Sequence, residues 1–380
     1  MKTIKKTLLV TIAVLAITVA GIYATGNSYL MKGLWASYLH GYKSASIGDA
    51  RFFDTRIIAS GNNKQPWPLK SIYNQKPLTS SLQNILESTN SVAFLVIQND
   101  SILTEHYWDN YDASSRSNSF SMAKSITTML AQIAIQKGIL QGWNQKVKTI
   151  LPNLKGPYAD ELELWHLSTM SAGLLWDEKY TNPFSITAKA YYGNNIAELM
   201  MQLPIDSMPG EKYNYQSGAT QLLGLCLMEA TKKPLATLAS EWLWQPLQAE
   251  HDAAWHIDSK GTELAYCCFN SNARDFARFG KLLLHHGKWN NESILDSAFV
   301  AKATSPALKP YYGYSFWIVN DFETPLYYMR GILGQYVLVL PEYNTVAVRL
   351  GHERIAPQPN ENHTKDFRII AEEVLKMVKR

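Results

Sequence analysis

The stretch FSMAKSITTML, Phe120 to Leu130, opens a helical pattern that runs from about Ser121 to Lys137 and ends at Gly138. Met122, Ile126, Met129, Leu130, Ile133 and Ile135 make it apolar on most sides. A helix that is apolar nearly all round belongs inside a core, so the rest of the chain must wrap around it. Its first turn carries Ser121 and, three residues on, Lys124. That spacing puts both side chains on one face, within reach of each other. The same turn presents free backbone N–H groups and the positive end of the helix dipole. A serine hydroxyl needs a base to become a nucleophile, and a lysine serves when burial disfavours its charged form. The plainer reading makes Ser121 an N-cap and Lys124 a solvent-facing residue. Ser-x-x-Lys alone recurs by chance, so the neighbouring sequence must decide.

Working outward, SLQNILEST (81–89) fits a short helix. SVAFLVIQNDSILTEHYW reads as two β-rich runs around Asn99-Asp100, a hairpin. From Leu140 to about Leu264 helical patterns dominate, with LELWHLSTMSAGL, NIAELMMQL, ATQLLGLCLMEAT and LATLASEWLWQPL the best of them. ARDFARFGKLLLHHGKW, Ala273 to Trp289, is another amphipathic helix closed by Gly287. YGYSFWIVN, PLYYMRGI, QYVLVLP and TVAVRLGH follow as strands, with Pro341–Asn344 as a hairpin turn, and a helix from Lys365 to Lys379 closes the chain. This order is not alternating βαβ. It predicts an α+β fold: an antiparallel sheet formed from both ends of the chain, flanked by helices, with a largely helical insertion lobe at about 140–264. The expected domains are an N-terminal segment 1–31, a connector 32–79 rich in Gly, Ser, Asn and Pro, and a main domain 80–380.

The N-terminus is basic (MKTIKK), and Thr7 to Tyr29 carries no charge. The apolar run lies between a signal peptide and a short membrane span. Its basic start predicts a cytoplasmic N-terminus. VAG and IYA are weak cleavage sites, while Trp35, Tyr38 and Tyr42 suit a membrane interface. We read an anchor in the inner membrane with the remainder in the periplasm, or a periplasmic protein if the segment is cleaved. The net charge of +4 owes three of its positives to Lys2, Lys5 and Lys6, so nothing points to nucleic acid. The three cysteines, Cys226, Cys267 and Cys268, form neither a zinc pattern nor a dense disulfide framework. One bridge from Cys226 to either neighbour competes with buried free thiols.

Two further stretches bear on Ser121. KYNYQSGATQLLG places Tyr215 and Ser217 after the turn MPGEK and before an apolar helix. A Tyr hydroxyl near a Lys ammonium can relay a proton, although a buried hydrogen-bonded Tyr is the commoner case. YYMRGILGQYVLVLPE sets Gly331 and Gly334 beside a strand, where a substrate could approach backbone N–H groups, or where the glycines only mark a bulge.

These three pieces, in this order and spacing, resemble the serine β-lactamase and penicillin-binding-protein superfamily, in its class C-like branch of esterases and amide hydrolases. LELWHLSTMSAGLLWDEKY resembles the family's helix and loop after the nucleophile. CFNSNARDFARFGKLLLHHGKWNNESIL resembles its Ala-Arg-Asp helix with the following Gly-Lys/Arg-Trp turn, and GQYVLVLPEYNTVAVRLGH its closing hairpin. The resemblance runs from about Ser80 to Val378. It implies a β-lactamase-like fold with Ser121 as the acylated nucleophile and Lys124 as the partner that takes its proton. Tyr215 and Ser217 match the Tyr-x-Asn/Ser motif. The oxyanion hole would combine the N–H groups of Ser121 and Ile332, just after Gly331. One departure stands out. The family's third motif is usually Lys-Thr-Gly or His-x-Gly, and here it is Met329-Arg330-Gly331. The cation that grips a β-lactam carboxylate is missing or displaced to Arg330, which argues against efficient β-lactam hydrolysis. Carboxylesterases and 6-aminohexanoate oligomer hydrolases also vary here. WDEKYTNPFS resembles the loop of the latter that carries a substrate-contacting Tyr, which makes Tyr180 a candidate contact, against the plain reading of a packed loop aromatic.

No G-x-S-x-G, H-E-x-x-H or G-x-x-x-x-G-K-[ST] occurs, so no cofactor, metal or nucleotide is implied. The expected function is that of an exported or membrane-anchored serine hydrolase. It would cleave a small ester, amide or peptide-like substrate through a Ser121 acyl-enzyme. The alternative is a penicillin-binding sensor or non-catalytic scaffold on the same fold.

Overall fold

The computed structural model describes residues 2–358 and 361–379. Its centre is a six-stranded antiparallel sheet. The strands are β1 (Ser91–Gln98), β2 (Ser101–Tyr107), β3 (Trp317–Val319), β4 (Leu326–Gly331), β5 (Gln335–Leu340) and β6 (Thr345–Gly351), in spatial order β2-β1-β6-β5-β4-β3. The two ends of the domain meet at its middle, where Val96 pairs with Ala347. The β1–β2 turn is the expected hairpin: Asn99 and Asp100 both have positive φ, 51° and 59°, as a right-twisted two-residue turn requires. Asn344 (φ 45°) does the same work between β5 and β6.

β1, β5 and β6 are buried along nearly their whole length because helices cover the sheet. The Ser80–Ser88 helix and the terminal helix Lys365–Val378 pack together as one layer. The Met122–Gln136 helix and the Ala273–Leu284 helix form a second layer against the sheet. Residues 122–134 are all buried, as the all-round apolar pattern requires. The 140–264 lobe is largely helical, with its longest helix at Ser217–Thr231 packed on Met122–Gln136.

Three local expectations change. LELWHLSTMSAGL is helical only at Leu164–Ser168, because Met170 (φ 59°) and Gly173 (φ 66°) turn the chain out of the helix and into a long loop. The 273–289 helix stops at Leu284, and Lys288–Trp289 pairs with Glu292–Ser293. Ala253–Ile257, inside the helical section, is a strand. It pairs with Asp54–Ile58 on one side and Phe269–Ser271 on the other, and Phe269–Ser271 pairs in turn with Ser117–Asn118. This second, four-stranded sheet assembles from segments too short to show a period. It also ties residues 54–58 of the N-terminal region onto the main body.

Helix α1, Lys2–Ala24, is exposed along its length, and Thr3–Ala24 is long and apolar enough to cross a membrane (mean hydropathy 2.3). A signal sequence passes the same test. A short helix α2, Tyr29–Ala36, follows and packs on the Ile186–Tyr192 helix. The cysteines follow the free-thiol alternative at Cys226 and neither alternative at the adjacent pair. Cys267 and Cys268 are joined to each other, while Cys226 is a free thiol buried in the Ser217–Thr231 helix.

Candidate active site

Ser121 is set in place by the second sheet. Ser117–Asn118 pairs with Asn270 and Ser271, and Phe120 then turns the chain with a positive φ of 44°. A bulky residue in that region is strained, and here Asn118 Oδ1 accepts the Phe120 N–H at 2.8 Å to hold it. The turn delivers Ser121 to the N-cap position of Met122–Gln136, yet its side chain makes no cap hydrogen bond. Its Oγ instead accepts from Lys124 Nζ at 2.9 Å. The N-cap reading therefore fails, and the two residues do share a face.

Lys124 is 1 % exposed. A lysine ammonium carries three donors, and all are matched: Ser121 Oγ at 2.9 Å, Ser217 Oγ at 3.0 Å and the Tyr266 carbonyl at 3.1 Å. The solvent-facing reading of Lys124 fails with this. Its Nζ also lies 5.1 Å from the Tyr215 ring centroid. Tyr215 is held by its flanks: Asn214 N–H donates to Met170 O at 2.7 Å and the Gln216 amide to Leu174 O at 2.6 Å. The loop that breaks the expected helix after Ser168 is thus the platform for the Tyr215 segment.

Ser217 begins its helix, and that helix N-terminus meets a carboxylate that sequence reasoning missed. Glu178 accepts from Ser217 N (2.8 Å), Ser217 Oγ (2.5 Å), Tyr180 Oη (2.5 Å) and Trp176 Nε1 (2.6 Å). A helix N-terminus favours such an anion. The Ser217 hydroxyl therefore bridges the Lys124 ammonium to the Glu178 carboxylate. Desolvation around its hydroxyl, then Glu178 itself, pushes the Tyr180 phenol well above its usual range although the residue as a whole is 41 % exposed, so it stays protonated and donates.

The end of β4 closes the site. A Cβ on Gly331 would sit 2.2 Å from the Ser119 carbonyl, so only glycine lets this strand approach the segment leading into Ser121. Gly334 (φ 83°) differs: its open side faces the Arg349 guanidinium, not a substrate. Among the described residues neither the Ser121 nor the Ile332 amide donates to a protein acceptor.

Two cavities share Ser121, Tyr180 and Ile332 in their linings. One, of about 280 Å³, is polar and aromatic and includes Tyr215, Glu178, Gly331, Arg330 and Arg354. Arg330 stacks over Trp317, 3.2 Å from its centroid, and donates to Asn362 O at 2.8 Å. Arg354 has no hydrogen-bond or ion-pair partner among the described residues. The other, of about 350 Å³, is mainly apolar and runs from Ser121 toward α1 and α2.

The structure thus gathers Ser121, Lys124, Tyr215, Ser217, Tyr180, Arg330, Gly331 and Ile332 in one place. Glu178, Arg354 and the Tyr266 carbonyl are additions. Glu178 lies two residues before Tyr180, on the same loop, and that proximity was its one signal in the sequence.

The fold recurs among known proteins. The family model described as Beta-lactamase matches residues 79–372. A 6-aminohexanoate-dimer hydrolase of Paenarthrobacter ureafaciens is 26 % identical over 217 residues, covering 54 % of this chain and 55 % of that relative, so the match spans about half the relative's length. Among solved structures, a Bacillus anthracis protein named provisionally as a 6-aminohexanoate-dimer hydrolase superposes with a TM-score of 0.74 at 19 % identity, over 91 % of this chain and 96 % of that one. A D-stereospecific amidohydrolase from Streptomyces sp. gives 0.61 at 14 % identity, over 78 % and 98 %. These structural likenesses establish the fold.

Proposed function

The chain belongs to the beta-lactamase family of hydrolases, and on that premise we propose that it is a serine hydrolase that cleaves an ester or amide bond through a Ser121 acyl-enzyme. The observation that carries this reading is the Ser121–Lys124 contact: a fully buried Lys124 Nζ that lies within hydrogen-bond distance of Ser121 Oγ, Ser217 Oγ and the Tyr266 carbonyl. The reactive form has Lys124 as the neutral amine, and as Ser121 Oγ bonds to the carbonyl carbon its proton passes to Lys124 Nζ. The ammonium so formed is held by Ser217 Oγ, with Glu178 behind it, and by the Tyr266 carbonyl. The carbonyl oxygen, now an oxyanion, takes the free N–H groups of Ser121 and Ile332. Tyr215, beside Lys124 and lining the polar cavity, relays that proton from Lys124 to the departing alcohol or amine as its bond to the carbon breaks, so that Tyr215 ends as the phenol and Lys124 as the amine. Water then attacks the ester carbon and releases Ser121.

Tyr180, Arg330 and Gly331 line the leaving-group side. The anchor and organisation follow the same reading: 1–31 holds the protein in the inner membrane, 32–79 connects, and 80–380 is the hydrolase in the periplasm. A second reading, a non-catalytic protein on the same fold, is favoured by Met329-Arg330-Gly331 in place of a lysine motif, with a penicillin-binding sensor lying between the two. Fluorophosphonate labelling of wild type and Ser121→Ala, with turnover of p-nitrophenyl esters, small amides and nitrocefin, separates the two. Labelling and turnover that vanish together in Ser121→Ala are expected. Absence of Ser121-dependent label refutes the enzyme, and a penicillin label that persists without turnover selects the sensor.

A further inference from the structure

We infer that the substrate is a membrane amphiphile whose acyl chain lies in the apolar cavity beside Ser121 and enters it from the bilayer. This rests on the acyl-enzyme reading above. The argument begins with which side of Ser121 takes which half of the substrate. Tyr215, the donor to the leaving group, lines only the polar cavity. The leaving group therefore occupies that cavity, and the acyl half has the other one.

That other cavity, about 350 Å³, has Ile22, Leu30, Met31 and Leu34 on one wall and Tyr192 and Tyr266 on another. Its outer wall is thus supplied by the end of α1 and by α2. The anchor is fixed there: Asn194 Nδ2 donates to Ser28 Oγ at 3.3 Å, Lys32 Nζ lies 4.4 Å from the Phe53 ring centroid, and Gly33 packs on the Tyr192 ring. A spanning helix of this length, about 1.5 Å per residue, matches the hydrocarbon core of a bilayer. With the basic N-terminus on one side, the α1 end at Ile22 lies at the opposite interface. Around it Leu34, Trp35, Tyr38 and Leu39 are exposed, at 41, 57, 57 and 63 %. A cluster of exposed Leu, Trp and Tyr beside a spanning helix is what an interface belt looks like. The cavity therefore opens where acyl chains are, and ends where the nucleophile is. In the step itself, Ser121 Oγ bonds to the acyl carbon, the C–O bond to the polar alcohol breaks, that alcohol leaves with the proton, and water releases the fatty acid.

The test uses the full chain reconstituted in phosphatidylcholine–phosphatidylglycerol vesicles, with p-nitrophenyl esters from acetate to decanoate. Each methylene buried is worth up to about fourfold, the factor that about 0.8 kcal/mol converts to, so kcat/KM should rise at least about 30-fold from acetate to octanoate. Ala188→Trp, which intrudes on the cavity wall, should lower the octanoate-to-acetate ratio at least about tenfold; Leu34→Trp makes the same measurement if the first variant does not fold. A p-nitrophenyl palmitate in the protein's own vesicles should turn over at least about tenfold faster than in separate vesicles. A flat chain-length profile, an unchanged ratio in the folded variant, or equal rates from the two vesicle arrangements overturns the inference and leaves the hydrolase reading standing. Absence of Ser121-dependent hydrolysis of every ester overturns the hydrolase reading and takes this inference with it.

Discussion

Glu178→Gln tests whether the carboxylate behind Ser217 is part of the proposed machinery. Glu178 presents two oxygens to four donors. Oε1 faces two hydroxyls, Ser217 and Tyr180, and Oε2 faces two N–H groups, Ser217 N and Trp176 Nε1. Glutamine keeps the shape but has one acceptor oxygen. The N–H pair cannot turn round, so that oxygen must stay with them and the NH₂ must face the hydroxyls. Ser217 Oγ then receives donors from both Lys124 and residue 178, with no anion behind it. A bond to a charged acceptor contributes about 1.5–3 kcal/mol and a neutral one about 0.5–1.5, so roughly 1 kcal/mol is lost at each of four bonds. Glu178 is only half-buried, which halves the total to about 2 kcal/mol. In a domain of this size that lowers Tm by about 4 °C.

The same 2 kcal/mol, felt where the Lys124 ammonium forms, lowers kcat about 30-fold. KM should change less, because Glu178 is saturated by protein donors. The assay is kcat and KM on a p-nitrophenyl ester, with thermal unfolding of the same preparation. If the variant retains kcat within about threefold of wild type and Tm within about 1 °C, the bridge from Lys124 through Ser217 to Glu178 is not functional and the reasoning fails.

Gly331→Ala forces a Cβ to within 2.2 Å of the Ser119 carbonyl, a backbone atom that cannot swing aside. The β4 end should retreat and misplace the Ile332 N–H, cutting the fluorophosphonate labelling rate at least about tenfold with circular dichroism unchanged. Wild-type labelling would refute the close-approach argument. Acid should destabilise the fold. Burial lowers His166 and His363 from 6.5 to about 4 each, so both are neutral when folded. Their contribution is complete above pH 6.5 and is lost as pH falls toward 4, roughly 3 kcal/mol each at the limit. Asp49, raised by burial to about 6, works the other way and gains stability as pH falls from 6 to 4. Two histidines outweigh one aspartate, so Tm at pH 4.5 should lie well below Tm at pH 7, and equal values would contradict this.

The sheet and its central helix were legible because they are long and periodic. Hydrophobic runs at 91–98, 335–340 and 345–351, with Asn-containing turns, leave few alternatives. The second sheet was not legible, since its strands at 117–118 and 269–271 are too short to carry a pattern and exist only because distant segments pair. The same limit applies to the site. Ser121 and Lys124 are three residues apart, so helix geometry alone brings them together. Glu178 meets Ser217 across 39 residues, through a loop whose path depends on Met170 and Gly173 taking positive φ. Arg354 reaches the cavity from a segment after β6 that has no period at all.

The Met329-Arg330 departure gains a physical meaning from the strand it sits on. Side chains alternate across a strand, so a cation displaced by one residue moves to the other face. Met329 is fully buried at the position where the family places its lysine. Arg330 shares a face with Tyr328, whose hydroxyl is 3.5 Å from its guanidinium, and the Tyr328 ring stacks on Phe367 of the terminal helix. Arg330 therefore does not substitute for the lysine beside Ser121; it reaches the polar cavity from its rim, already engaged by Trp317 and the Asn362 carbonyl. Arg354, with no protein partner among the described residues, is the better-placed cation for an anionic leaving group. On the proposed reading, a carboxylate held hard against Ser121, as in a β-lactam, loses its partner here. A negative charge farther out on a flexible polar head keeps one.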